Sequence, residues 1–161
     1  MKYFENMSDE AKVWIYTAGR ALLDIEVKQL NDALQAFAIR WESHGKNLNS
    51  AAAVQYDRFL VFMVDKGGQG KACGRAIDNS IRFIQQLEKE FGIEFLNRML
   101  LPFEENGRVQ ICHKDDLNDK LASGLIRDDT IVFNTMVKTK YEYLHDFKIP
   151  YAKSWFSLVL S

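Results

Sequence analysis

The sequence predicts an α/β or α+β protein: a single domain, 1–161, with a mixed sheet of about five strands and helices packed on it. Three observations carry that expectation. The runs VWIYTAG (13–19) and FLVFMV (59–64) are β-branched, aromatic and bounded by glycine or polar residues, as strands are. Leu23, Val27, Leu30, Leu34, Phe37 and Trp41 recur alternately four and three residues apart, which places one apolar stripe along a helix. Asn106-Gly107 lies between two apolar runs and accepts the positive φ of a tight hairpin turn.

Each element follows in order. The first strand ends at Gly19, and the striped helix follows over 23–41, its apolar face suited to a sheet rather than a coiled coil because it spans too few heptads. SHGKNLNS (43–50) is turn-rich and carries His44. AAAVQYDR (51–58) reads as a short helix, alanine being the best helix former. FLVFMV shows no alternation, as expected of a central strand buried on both faces. Ile77, Ile81, Ile84, Leu87 and Phe91 mark a second helix, with Asp78 or Ser80 as its cap and Gly92 at the position where a left-handed C-cap is needed. IEFLNRMLLPF (93–103) reads as a third strand, antiparallel to RVQICH (108–113) across the Asn106-Gly107 turn. Asp115 or Asp116 caps a short helix ending at Gly124, TIVFN (130–134) is a fifth strand, and 138–147 and the stretch after Pro150 are helical.

Composition narrows the class. With 47% hydrophobic and 27% charged residues the chain has ample material for one core. A net charge of -1 and no dense Lys/Arg run leave no electrostatic footprint for nucleic acid. The longest apolar run falls far short of the ~20 residues that cross a bilayer, and no signal-peptide pattern opens the chain. A cytoplasmic protein with two reduced thiols, Cys73 and Cys112, is therefore expected. His113 and His145 lack metal-ligand spacing, so no metal and no cofactor are expected.

The stretch DKGGQGKACG (65–74) invites a nucleotide reading. It is similar to the deviant phosphate-binding loop of ParA- and MinD-type ATPases: Lys66, Gly67, Gly68, Gly70 and Lys71 match, but Ala72 stands where a hydroxyl ligates Mg²⁺. Asp65 stands where the regular pattern places glycine, a carboxylate beside the phosphate position. No other apolar run ends in the Asp that would hold the metal through water. The expectation is a surface connection, with nucleotide or anion binding at 66–71, without hydrolysis, as the alternative.

RALLDIEVKQLNDALQAFAIRWESHG, GRAIDNSIRFIQQLE and TIVFN resemble a set of small bacterial proteins sometimes labelled "ABC transporter ATPase". The resemblance brings no catalytic residue with it. GGQ (67–69) is a fragment of the ABC signature loop, but an ABC ATPase domain needs far more chain than this and both nucleotide motifs.

Ligands of α/β proteins gather at strand ends. There the sequence offers Arg20, Asp65 and Asn134, with His44 and Asp78 nearby, as a candidate hydrolase or isomerase set. The structural alternatives are an Arg20–Glu26 pair, a capping Asp78 and a solvated His44. Cys73 has no identifiable base, and Cys112 and His113, adjacent in a strand, point to opposite faces. The apolar SWFSLVL stretch suits either the core or a subunit interface, and a homodimer is expected. The resulting reading is a binding or regulatory module without nucleotide hydrolysis and with a small-molecule or protein ligand; a small enzyme is the alternative.

Overall fold

The computed structural model describes residues 2–65 and 74–160. It is an α+β fold with helices packed on sheets. In chain order the elements are β1 (Lys12–Thr17), α1 (Asp24–Arg40), β2 (Glu42–Ser43), β3 (Lys46–Asn47), β4 (Ser50–Gln55), β5 (Phe59–Val64), α2 (Gly74–Phe91), β6 (Leu100–Glu105), β7 (Arg108–His113), α3 (Leu117–Ala122), β8 (Ile131–Phe133), α4 (Lys140–Asp146), β9 (Lys148–Pro150) and α5 (Trp155–Leu160).

The strands are shared among three sheets, ordered β1-β5-β4, β2-β3 and β7-β6-β8-β9, where the sequence suggested one mixed sheet. Every strand pair among the described residues is antiparallel. β5 is the middle strand of its sheet, and all its residues are buried. Its alternation is real but hidden. Leu60, Phe62 and Val64 face a cluster built with Leu30, Leu34 and Trp41 from the α1 region and Ile84 and Leu87 of α2. Phe59, Val61 and Met63 face a second cluster with Phe4, Met7, Val13, Phe133, Tyr143 and Phe147. Because both faces of the strand meet apolar layers, no polar residue marks either side.

Both long helices lie where the apolar spacing places them. α1 buries Leu30 and Leu34, and α2 buries Ala76, Ser80, Ile84 and Leu87, with Gly92 at φ 63° just past its end. The Asn106-Gly107 turn joins β6 and β7 with φ of 53° and 75°.

Several elements differ from the sequence reading. The 51–58 stretch is not helical: Ala51, Ala52 and Ala53 lie in β4, paired with Met63, Phe62 and Val61. Ala52 joins the layer under α1, Ala51 and Ala53 face the opposite layer, and Asn31 Oδ1 of α1 accepts the Val54 N–H at 2.8 Å. Tertiary pairing outweighs helix preference here. The third strand begins only at Leu100. Ile93 and Phe95 instead bury beneath α1 and α2, with Glu88 Oε2 accepting the Phe95 N–H at 2.9 Å. Asp78 and Ser80 do not cap α2, which starts at Gly74; Ser80 Oγ donates to Ile77 O at 2.6 Å within the helix. Neither Asp115 nor Asp116 caps the turn before α3 through its side chain; His113 Nδ1 accepts the Asp115 N–H at 3.1 Å. The region expected to be helical after α4 also contains β9, paired with β8.

Candidate functional site

The strand-end site does not assemble from Arg20 and Asp65. In the β1–β5 register, Lys12 lies opposite Val64 and Thr17 opposite Phe59. Arg20 therefore belongs to the Phe59 end of the sheet and Asp65 to the other, about 20 Å away at ~3.4 Å per residue. Strand-end convergence presumes parallel neighbours, and β5 has none.

Each of these residues also has structural bonds. Arg20 clasps Glu26 with Nη1 on Oε1 and Nη2 on Oε2, both at 2.8 Å. Asp65 is buried, and its Oδ1 and Oδ2 accept from Ser8 Oγ at 2.8 Å and Ser8 N at 2.9 Å. Asn134 Oδ1 accepts the Met136 N–H at 3.1 Å, closing a local turn. Asp78 is exposed on α2. Lys66, Gly67, Gly68, Gly70 and Lys71, together with Ala72 and Cys73, lie outside the described residues.

The Arg20–Glu26 clasp has a measurable consequence. Hydrogen bonds from Arg20, and then from the Leu23 N–H at the start of α1, lower the Glu26 carboxyl from its ordinary 4.5 to about 2. A carboxylate held below its unfolded value stabilises the fold above that value and loses the contribution as pH falls through the folded one. Glu26→Gln is therefore expected to lower stability at pH 7, with the deficit shrinking between about pH 4.5 and 2. Denaturant titrations across that range test it; a deficit that stays constant with pH contradicts the clasp.

Cys112 is buried, and burial followed by the Asp116 charge pushes its thiol up, away from the thiolate that a nucleophile requires. Among the described residues there is no cluster of three His, Cys, Asp or Glu able to hold a metal, and no helix long and apolar enough to cross a membrane.

His44 is placed differently. It occupies the β2–β3 turn at φ 53°, followed by Gly45 at φ 75°, and lines a depression of about 220 Å³ with Glu42, Gly45, Arg75 and Asn79. Arg75 and Asn79 are one helical turn apart on α2, so their side chains share a face. No motif singles out Glu42, Arg75 or Asn79. The i, i+4 spacing of Arg75 and Asn79 was the available signal, and it needed the hairpin opposite to acquire meaning.

The fold and this depression define an antiparallel α+β protein with a small recess between a hairpin and a helix. No family model, curated protein or solved structure matches the chain.

Proposed function

We propose that the protein is a cytoplasmic binding module that does not hydrolyse nucleotide and that self-associates through α5. The observation that carries the non-hydrolytic reading is the setting of β5, the strand leading into the glycine-rich stretch. Both of its neighbours are antiparallel, whereas phosphate-binding loops of nucleotide hydrolases sit in parallel βαβ units. Ala72 in the metal-ligating position and Asp65 before the glycines favour the same conclusion. The resemblance to proteins labelled as ABC ATPases thus enters as a likeness of sequence, without the activity in the label.

The self-association reading is supported by α5. Trp155 and Leu158, one turn apart, are 50% and 76% exposed, while Phe156 packs on the cluster around Leu101 and Tyr151. An exposed tryptophan is a common anchor of an interface centre, and the exposed leucine beside it extends the apolar area.

Light scattering across a concentration series, with a phosphate-release assay in ATP and Mg²⁺, tests both halves. A dimer that becomes monomeric in Leu158→Glu, with no phosphate release above buffer, is the expected result. A wild-type monomer at every concentration removes the self-association reading. Mg²⁺-dependent turnover that disappears in Lys71→Ala removes the non-hydrolytic one.

A further inference from the structure

We infer that the depression lined by Glu42, His44, Arg75 and Asn79 is a binding site for a small phosphate monoester carrying a neighbouring hydroxyl group. This goes beyond the reading of the protein as a self-associating module and stands whether or not α5 forms a dimer.

The walls are fixed before any ligand arrives. Trp41, immediately ahead of β2, is buried and donates its indole N–H to Ala76 O at 2.9 Å, beside Arg75 in the first turn of α2. Trp41 O in turn accepts the Leu48 N–H at 2.9 Å, closing the hairpin base. Hairpin and helix are thereby held against each other, and a preformed recess avoids the ordering cost that weakens binding.

The donor set is specific. Arg75 brings a planar guanidinium that matches phosphate oxygens, Asn79 an amide and His44 a ring N–H, while Glu42 supplies an acceptor. Of the other candidates, Arg20 is bonded to Glu26, Asp65 to Ser8 and Asn134 to Met136, while Asp78 is exposed on α2. Among the described residues, the side chains of Glu42, His44, Arg75 and Asn79 take part in no hydrogen bond or ion pair. All four are exposed around one recess, where a ligand can take their polar ends from water.

Size and charge choose the ligand. At about 220 Å³ the recess is below the roughly 300–1,000 Å³ typical of drug-sized ligands. It suits a phosphate with a short chain rather than a nucleotide. Three donor groups take the phosphate oxygens, and Glu42, which would repel a bare anion, accepts from a hydroxyl on the adjacent carbon.

The test uses glycerol 3-phosphate, inorganic phosphate and glycerol at matched ionic strength, read by thermal unfolding and tryptophan emission. Glycerol 3-phosphate is expected to raise the unfolding temperature and shift the emission, inorganic phosphate to do so more weakly, and glycerol to do neither. Arg75→Gln is expected to weaken binding roughly tenfold or more, since a charge-assisted pair is lost. His44→Asn, which tolerates the same positive φ, weakens it less. Lys71→Ala leaves it unchanged. An unchanged far-UV spectrum confirms that each variant is folded. No response to about 10 mM glycerol 3-phosphate, at the weak end of useful affinity, overturns the assignment. So does binding that survives Arg75→Gln and disappears in Lys71→Ala, which would move the anion to the glycine-rich stretch.

Discussion

Phe62→Ala is expected to destabilise the protein by about 3–5 kcal/mol, a large part of the ~5–15 kcal/mol that holds a typical domain together. Phe62 is 1% exposed in the middle of β5 and meets the rings of Tyr16, Phe37 and Trp41 at centroid distances of 5.7, 6.0 and 6.1 Å. Its removal takes a full aromatic side chain from the layer between the sheet and both long helices. The cavity cannot readily collapse, because Trp41 is held by its bond to Ala76 O. In a chain of this size the loss corresponds to roughly 6–20 °C of unfolding temperature. Ile39→Ala, on the 76%-exposed outer side of α1, is the matched control and should change stability by less than about 0.5 kcal/mol. Urea titrations with unchanged slopes read both. A loss under about 1 kcal/mol for Phe62→Ala would mean that β5 is not the centre of this packing.

Lys140→Met is expected to cost about 2–4 kcal/mol and to loosen the N-terminal segment. Lys140 is buried, and its ammonium donates to Phe4 O at 2.9 Å and Met7 O at 2.7 Å. Methionine keeps most of the stem's volume but takes the ammonium from both carbonyls: Met7 O loses its donor, at about 1–3 kcal/mol of desolvation, while Phe4 O keeps only the Met7 N–H. Relief from burying a charge offsets part of that. The segment covers the second face of β5 through Phe4, Met7 and Ala11. A second clamp, from the Asp65 carboxylate to Ser8, holds its other end. Hydrogen exchange resolves the effect: the amides of Met7 and Ala11, bonded to Phe4 O and Ser8 O, should lose protection more than those of β5. Equal protection in both proteins would show that the Lys140 bonds do not hold the segment. Adding Asp65→Asn should release it further, since the two clamps act on one short stretch.

Elements set by short-range patterns were legible in the residues. The apolar spacing from Leu23 to Trp41 located α1, the isoleucine series located α2, Gly92 marked its end, and Asn106-Gly107 marked the β6–β7 turn. FLVFMV identified the central strand because a run with no polar face has to be covered on both sides. The Arg20–Glu26 pair was legible too, being only six residues apart. What was not legible depends on partners distant in the chain. The alanines of β4 prefer a helix by themselves and become a strand because Val61, Phe62 and Met63 offer a ladder. Strand direction is likewise a tertiary property: a strand, a helix and a second strand permit parallel or antiparallel pairing until the hairpins between them are placed.

The candidate site follows the same division. The sequence by itself determined that the glycine-rich stretch lacks a metal-ligating hydroxyl, that His44 sits in a turn, and that two amphipathic helices cover a fully buried strand, because composition and local spacing contain all of that information. Only the tertiary structure decided that Arg20 and Asp65 stand at opposite ends of one sheet while His44 meets Arg75 and Asn79. Those outcomes rest on antiparallel register and on one indole-to-carbonyl bond between Trp41 and Ala76, and contacts of that range leave no periodic trace along the chain.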